Sequence, residues 1–275
     1  EKGGLKVGED FYLAFALERI DPGNRAYLVR NVPKVVGGVT PACSLMAATF
    51  FSTFVDQVVT VSSPKVAEMT KLLENTFRSV NVALGNALSM LCHRMDVDVW
   101  EVIDAASTKP FGFMPFYPGP GLGGHCIPID PFYLTWKAHE VGVKTRFIEL
   151  AGEVNQSMPE HVIAVVIKAL NSAKKSLRSS QILILGLAYK PNDAETRETP
   201  SFKVIQLLEK EGAEVDYYDP HIHSIPKIRK HQELAGKKSA DWNEETVQKY
   251  DLVLISTAHD SVTVSYTHLT LPTNR

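Results

Sequence analysis

One thiol in this chain stands in a setting that could support nucleophilic chemistry. Cys126 follows a loop with four glycines in six residues, within residues 119–131 of sequence GPGLGGHCIPIDP. Glycine lets the backbone adopt positive φ and approach a ligand closely, and a neighbouring positive charge lowers the pKa of an exposed thiol. The residues alone fit two alternatives: a reactive thiolate, or a structural turn that contains a small apolar cysteine.

The other two cysteines, Cys43 and Cys92, are predicted to fill apolar positions in helices rather than to react. The spacing of the three cysteines matches neither a metal site nor a disulfide framework. We therefore expect no metal and a reducing cytoplasm as the cellular setting.

Lys71 and Asn75 form a second candidate group, because residues four apart lie on the same side of a helix. The ammonium of Lys71 could exchange a proton with a substrate hydroxyl, and the amide of Asn75 could donate to an oxyanion. The alternative is a solvated helix face on which Glu68 and Lys71 form a pair worth about 0.2–0.5 kcal/mol. Taken alone, the spacing favours the solvated face.

A long helix must carry these two side chains. Apolar residues recur at steps of three and four from Val66 to Leu91, which predicts one amphipathic helix over residues 64–94. Ser63 and Pro64 suit its N-cap and first turn. Shorter helices are predicted over residues 41–55, 97–106, 132–141 and 147–170.

A polar boundary at residues 171–180 separates these helices from a different pattern. Strands are predicted at residues 182–185, 214–218 and 251–256, with a helix at 202–210. Strands that alternate with helices indicate a parallel sheet. Earlier in the chain, short strands are predicted within residues 11–16, 34–36 and 58–61.

Length, composition and charge limit the class of protein. The chain has 275 residues with 44% hydrophobic and 22% charged residues, in the range of globular domains. Its net charge of −2 excludes a global field that would attract nucleic acid or an anionic membrane surface. No apolar run reaches the about 20 residues of a membrane-spanning helix. We therefore expect no nucleic-acid partner and no membrane partner.

Four motifs in the same order resemble the family of UDP-glucose, UDP-N-acetylglucosamine and UDP-N-acetylmannosamine dehydrogenases. They are GLKVG with LERIDPG at 4–8 and 17–23, AEMTKLLEN at 67–75, the glycine loop through Asp130, and GLAYKP with RETP at 186–191 and 197–200. The resemblance extends over about residues 3–260. His125 and Ile129 in the glycine loop are similar to the N-acetylhexosamine branch, since the UDP-glucose branch usually has Ser and Lys there.

The resemblance implies a site and its ligands. Cys126 would be the nucleophile of a four-electron, NAD-dependent oxidation of the sugar C6 to the uronic acid, through a thiohemiacetal and a thioester. The other implied catalytic residues are Lys71, Asn75, Glu18 and Asp130. The implied substrate-binding residues are Tyr117, Gly119, Gly121, Gly123, Tyr189 and Lys190. The implied cofactor-binding residues are Arg197 and Gly124. The residues alone favour a Glu18–Arg19 surface pair and an Asp130 N-cap.

The expected fold class is α/β with three domains, and a UDP-sugar is the expected substrate. Residues 1–60 would end a Rossmann-type NAD-binding domain, 61–170 would form an all-helical central domain with one long helix, and 171–263 would form a truncated Rossmann-like UDP-binding domain. Residues 264–275 have the character of a non-native tail. We expect a fragment that lacks most of the NAD-binding domain and is inactive as it stands.

Two questions remain open at the level of sequence. UDP-N-acetylglucosamine is the favoured substrate, with UDP-N-acetylmannosamine and UDP-glucose as alternatives. A different class, a non-catalytic module that binds nucleotide and dimerises, is the competing hypothesis. Either way, a homo-oligomer, most simply a dimer, is expected through the long central helix.

Overall fold

The computed structural model describes residues 3–21, 24, 26–124, 127–228 and 230–263. The chain divides into two compact units, residues 1–77 and 78–275, and the division falls inside the longest helix. The domain boundaries near residues 60 and 170 rest on composition and stay predictions.

The first unit contains a three-stranded sheet and one helix beside it. The elements are β1 (Ala14–Ala16), β2 (Lys34–Gly38), α1 (Pro41–Ser52) and β3 (Val58–Val61). β2 lies in the middle, antiparallel to β1 and parallel to β3. A small core of Leu17, Val35 and Ala67 holds the unit together.

Cys43 is part of the packing of this unit, as predicted. Its side chain is fully buried. Its sulfur accepts a hydrogen bond from the Leu13 backbone N–H at 3.3 Å and another from the Thr40 hydroxyl at 3.2 Å. Thr40 is also the N-cap of α1, because its hydroxyl accepts a hydrogen bond from the Cys43 backbone N–H. Cys92 is half-buried.

The predicted long helix is confirmed as α2 (Pro64–Met95), which has 32 residues. Ser63 caps it, since its hydroxyl accepts from the Val66 backbone N–H at 3.4 Å. The apolar stripe is largely exposed: Leu73 is 64% and Leu84 58% accessible. The buried positions of α2 instead hold small or polar residues, namely Ala67, Asn75, Thr76, Ser79, Ala83 and Asn86. Within this chain, therefore, the stripe is not a core face.

The second unit continues α2 from Arg78 and adds three helices before its sheet. They are α3 (Val99–Ser107), α4 (Asp130–Glu140) and α5 (Arg146–Ser172). Asp98 caps α3 through its carboxylate, which accepts from the Trp100 backbone N–H at 2.8 Å. The glycine loop connects α3 to α4.

The predicted parallel sheet is confirmed, with strand order β5-β4-β6. Its elements are β4 (Gln181–Leu185), α6 (Pro200–Lys210), β5 (Glu214–Tyr218), α7 (Glu244–Val247), β6 (Leu252–Ile255) and α8 (Asp260–Thr263). α5 and α6 pack together over one face of the sheet. The main core includes Val166, Leu170, Ile182, Ile184, Phe202 and Leu208, all at most 2% accessible.

Candidate active site

The glycine loop packs against the segment that follows β4. A Cβ at Gly123 would lie 2.4 Å from the Cβ of Tyr189, and one at Gly121 would lie 3.1 Å from Pro200. A separation of 2.4 Å is impossible for carbon atoms that are not bonded, so only glycine permits this approach. Gly121 and Gly123 thus allow the loop to approach Pro200 and Tyr189 closely.

The same loop is joined to Arg197 through the backbone. The Gly124 N–H donates to the Arg197 carbonyl at 3.2 Å. Gly124 has φ +81, in the left-handed region that glycine adopts without strain. This amide therefore positions Arg197, which the resemblance assigns to the cofactor side together with Gly124.

Two buried asparagines hold the beginning of the loop. Asn86 on α2 accepts from the Gly119 backbone N–H at 2.9 Å and donates to Asn155 on α5 at 2.9 Å. Asn155 in turn donates to the Ser79 carbonyl at 3.1 Å. Asn86 is 0% and Asn155 4% accessible, and buried amides of this kind are costly unless they are bonded. The pair therefore ties the loop to two helices.

A cavity of about 860 Å³ lies beside the loop. Residues on both sides of Cys126 line it, among them Leu122 and Ile127. α5 contributes Asn155, and the segment up to α6 contributes Arg197. Cys126 and His125 lie outside the described residues, so the position of the thiol stays a prediction. The volume lies within the about 300–1,000 Å³ of small-molecule sites.

Tyr189 and Lys190 lie directly behind the glycine loop. The Lys190 ammonium is 3.4 Å from the Asp193 carboxylate and 5.6 Å from the centre of the Tyr189 ring. The Tyr189 backbone N–H donates to the Glu195 carbonyl at 3.1 Å. The predicted substrate residues Gly121, Gly123, Tyr189 and Lys190 therefore belong to one neighbourhood.

Arg197 has its own carboxylate partner. Its Nε donates to Glu195 Oε2 at 2.7 Å, and this hydrogen bond is the main cause that lowers the pKa of Glu195. Its Nη2 pairs with the same carboxylate, and the side chain is 67% exposed.

Tyr117 and Asp130 occupy the two ends of the loop. The Tyr117 hydroxyl donates to Asp104 at 2.6 Å, a bond that raises the pKa of Tyr117, and its ring stacks on Trp100. Asp130 is the first residue of α4, and the N-cap position belongs to Ile129. The alternative of Asp130 as N-cap is therefore corrected: a helical backbone at Asp130 removes it from the capping position.

Glu18, Lys71 and Asn75 belong to the first unit. Glu18 pairs with the Lys34 ammonium at 3.0 Å, and Arg19 pairs with Glu74, so the expected Glu18–Arg19 side-chain pair is wrong. Burial raises the pKa of Glu18, but the Ile20 backbone N–H and Lys34 lower it on balance. Glu18 is therefore a carboxylate at neutral pH, as a general base requires.

Lys71 and Asn75 both lie on α2, one turn apart. Asn75 is 9% accessible, whereas Lys71 is half-buried. A buried Asn75 and a half-buried Lys71 on one helix do not match the solvated face that the spacing alone favoured.

The buried carboxylate of Asp219 fixes the backbone directly before Tyr189. Asp219, just after β5, accepts from the backbone N–H groups of Leu187 and Ala188 at 2.7 and 3.0 Å. His259, after β6, lies 3.1 Å from the same carboxylate, and its Nδ1 accepts from the Asn192 backbone N–H at 2.9 Å. In dinucleotide-binding folds the N–H groups after the first strand face a pyrophosphate. In this chain the corresponding N–H groups, those of Leu187 and Ala188, donate to the internal Asp219 carboxylate instead.

Sequence reasoning missed Asp219, His259 and the two asparagines. An acid directly after a buried strand, in Tyr218-Asp219-Pro220, is a signal that could have identified Asp219. No pattern in the sequence indicated Asn86, because it lies outside the apolar stripe of α2 that the periodicity marks. Within the described part of the chain, no group of three or more His, Cys, Asp and Glu side chains is placed to bind a metal. Nor is any described helix long and apolar enough to cross a membrane.

Two sequence profiles of one family match this chain. The central domain of the UDP-glucose/GDP-mannose dehydrogenase family matches residues 65–157, and the UDP binding domain of that family matches residues 183–269. Together they span more than half of the chain.

Curated relatives match over most of the chain but only part of their own length. A UDP-N-acetyl-D-mannosamine dehydrogenase from Pyrococcus horikoshii is 34% identical over 93% of the chain and 57% of that protein. A UDP-N-acetyl-D-glucosamine 6-dehydrogenase from Pseudomonas aeruginosa is 35% identical over 80% of the chain and 52% of that protein. The chain thus spans little more than half the length of these relatives.

Solved structures also match most of this chain but only part of their own length. A UDP-ManNAc dehydrogenase from Pyrococcus horikoshii superposes with a TM-score of 0.82 at 32% identity, over 94% of the chain and 57% of that structure. An NDP-N-acetyl-D-galactosaminuronic acid dehydrogenase from Methanosarcina mazei superposes with a TM-score of 0.80 at 30% identity, over 94% of the chain and 55% of that structure.

Proposed function

The chain belongs to the UDP-glucose/GDP-mannose dehydrogenase family, and from that premise we propose that the complete protein oxidises C6 of a UDP-N-acetylhexosamine to the carboxylate with NAD. The observation that carries the proposal is the cavity beside the glycine loop. Residues before and after Cys126 line it together with Arg197, so a thiol at position 126 would have open space and a phosphate-binding guanidinium nearby.

Cysteine is suited to the chemistry because its thiolate is a strong nucleophile and a good leaving group. In the proposed reaction the C6 carbon loses a hydride and its hydroxyl oxygen loses a proton, which gives an aldehyde. The Cys126 thiolate adds to the aldehyde carbon, and the resulting thiohemiacetal loses a second hydride to become a thioester. Water then breaks the C–S bond and releases the carboxylate. A nicotinamide dinucleotide supplies the hydride acceptor for both oxidations, two molecules for each sugar.

The remaining catalytic roles are carried over from the resemblance, residue by residue. Lys71 assists proton transfer at the C6 oxygen, and Asn75 donates to the oxyanion. Glu18 acts as acid and base in thioester hydrolysis, for which its carboxylate form at neutral pH is suitable. Asp130 orients water or Lys71.

Substrate contacts are proposed for the loop and the segment behind it. Tyr117, Gly119, Gly121 and Gly123 would follow the sugar nucleotide along the glycine loop. Tyr189 and Lys190 would contact its nucleotide, and the two residues before them, Leu187 and Ala188, donate backbone hydrogen bonds to Asp219. Arg197 would reach the dinucleotide, with Gly124 fixing its backbone.

The exposed stripe of α2 supports the proposal of a homodimer. Leu73, Leu84 and Leu91 are each more than half accessible, and an isolated apolar stripe of this length is a typical oligomer surface. A second copy with the same stripe would cover it by two-fold symmetry.

Cys126→Ala in the complete protein tests the proposed function, with Cys92→Ala as the matched control. We expect loss of uronic acid formation in the first variant and unchanged activity in the second, because Cys92 is a half-buried residue of α2. A panel of UDP-GlcNAc, UDP-ManNAc and UDP-glucose identifies the substrate, with UDP-GlcNAc as the first candidate. Two NADH per sugar from Cys126→Ala would contradict the thioester route.

The competing function is a module that binds nucleotide and dimerises without catalysis. The observation that favours this module is the buried Asp219 carboxylate, which fixes the backbone directly before Tyr189 in the second unit. For the 275-residue chain itself we expect UDP binding without turnover, because the chain spans only 57% of the length of the Pyrococcus horikoshii relative. Calorimetry with UDP and an NADH assay on the same sample would separate binding from catalysis.

A further inference from the structure

The turn that follows Lys190 is held by residues from a distant part of the chain. Pro191 and Asn192 form the turn, and Asn192 has φ 60, in the left-handed region that asparagine adopts more readily than most residues. The Asn192 backbone N–H donates to His259 Nδ1 at 2.9 Å, and its side-chain amide donates to Asp260 at 2.8 Å. The Asp260 backbone N–H donates to the Asn192 side-chain oxygen at 3.1 Å. These hydrogen bonds join Asn192 to two residues that lie after β6.

Thr257, also after β6, holds the beginning of the same segment. Its hydroxyl donates to the Ala188 carbonyl at 2.5 Å. Gly186 has φ +79, and a Cβ there would lie 2.0 Å from the Thr257 carbonyl oxygen, so only glycine fits. Residues 186–192 therefore contact the residues after β6 at both of their ends, and Tyr189 lies between the two contacts.

Asp193 links Asn192 to the Lys190 ammonium. The Asp193 Oδ2 lies 3.4 Å from that ammonium, and its Oδ1 accepts from the Ala194 backbone N–H at 2.7 Å. Both side chains of the ion pair are at most 22% accessible, so solvent screens their attraction only in part. A displacement of Asn192 would move Asp193, the next residue, and the direction of the Lys190 side chain would change with it.

We propose that Thr257, His259 and Asp260 form a clamp that positions the segment carrying Tyr189 and Lys190 for nucleotide binding. The three residues act through other residues of the chain, so they are positioning residues. The clamp complements the buried carboxylate after β5, which fixes the backbone before Tyr189. A segment that is ordered before binding loses less conformational entropy when the ligand arrives, which raises the affinity. The effect on nucleotide affinity rests on the proposed function, whereas the order of the segment does not.

Asp260→Ala tests the clamp, because it removes the acceptor of the Asn192 amide from an exposed side chain. Asp260→Asn is the conservative variant, since its amide oxygen can still accept that hydrogen bond. Asp241→Ala is the matched control, since it removes the same charge from another exposed position of the second unit. In the 275-residue chain, hydrogen exchange over residues 187–193 should become about fivefold faster in Asp260→Ala alone.

UDP titrated into the same chain in a calorimeter measures the effect on binding. We expect Asp260→Ala to weaken the affinity for UDP about fivefold, the factor that the loss of one hydrogen bond gives. Asp260→Asn and Asp241→Ala should stay within about twofold of the parent. In the complete protein, KM for the UDP-sugar should rise by about the same factor in Asp260→Ala. Its kcat should stay within about twofold, because the clamp acts at the nucleotide and not at C6.

The clamp is overturned if Asp260→Ala matches the parent in hydrogen exchange, or if Asp260→Asn behaves like Asp260→Ala. Faster exchange with unchanged UDP affinity overturns the positioning role, and so does a parent chain without saturable UDP binding. A lower kcat at unchanged KM contradicts that role as well. If Cys126→Ala keeps full activity while exchange and UDP affinity change as expected, only the proposed function has failed.

Discussion

The Asp219 carboxylate and the His259 imidazole form a fully buried pair, 3.1 Å apart, beneath the segment that carries Tyr189 and Lys190. Asp219 also accepts hydrogen bonds from four backbone N–H groups, those of Leu187, Ala188, His221 and Ile222. A carboxylate with this many donors links the ends of three parallel strands. We infer that it sets the position of the segment that carries Tyr189 and Lys190.

Asp219→Asn should destabilise the chain by about 3 kcal/mol, because an amide NH₂ cannot accept the backbone hydrogen bonds that the lost oxygen received. Urea unfolding measures the loss. Asp241→Asn is the control, since that carboxylate is exposed, and it should change stability by less than about 0.5 kcal/mol. Equal effects of the two substitutions would contradict the role of Asp219.

The same carboxylate predicts a pH dependence. Burial raises the pKa of Asp219, but hydrogen bonds from His259 and the backbone lower it to about 2, below the ordinary value of 3.8. A lowered pKa stabilises the folded state above the unfolded value, and this stability is lost as the pH falls towards the folded value. The difference in unfolding free energy between the parent and Asp219→Asn should therefore decrease by about 2 kcal/mol from pH 5 to pH 2. A constant difference over this range would show that the folded pKa is not depressed.

Asn86→Ala should release the start of the glycine loop. The substitution leaves the Gly119 backbone N–H and the side-chain amide oxygen of Asn155 without hydrogen-bond partners. In a buried site this costs about 2 kcal/mol or more. Hydrogen exchange of the Gly119 amide should become faster. Asn171→Ala, at an exposed position near the end of α5, is the control and should leave this exchange unchanged.

Gly123→Ala should displace the loop, because the new Cβ would lie 2.4 Å from the Tyr189 Cβ and 3.3 Å from Pro200. Overpacking of this kind costs about 1–3 kcal/mol. Gly3→Ala is the matched control, since nothing lies within 4 Å of a Cβ there and its φ is outside the left-handed region. Thermal unfolding measures both. In the complete protein only Gly123→Ala should reduce uronic acid formation, and a normal rate would indicate that the loop adjusts without consequence.

Leu84→Glu with Leu91→Glu should convert the proposed dimer into a monomer, because two charges would enter an apolar interface. Both side chains are exposed in the single chain, at 58% and 52%, so folding should be little affected. Light scattering after size exclusion reports the mass. Val143→Glu, 53% exposed in the turn between α4 and α5, is the control. A parent chain that is already monomeric would exclude α2 as a dimer surface.

The sequence by itself determined the elements and their order, since the signals for them are local. The periodicity of residues 66–91 predicted α2, and the strand–helix alternation after residue 180 predicted the parallel sheet. The cap at Ser63 was predicted from residue type, and the structure confirms it through a hydrogen bond to the following turn. The family could also be identified from sequence motifs, because each motif is a short run of residues.

Only the tertiary structure decided which side chains meet. Asn86 and Asn155 are 69 residues apart, and Asp219 and His259 are 40 apart, so no spacing rule connects them. The direction of the apolar stripe on α2 was likewise undetermined, because periodicity shows that a face is apolar but not what covers it. Pairing across such distances depends on how the whole chain packs, and a local pattern contains no information about that.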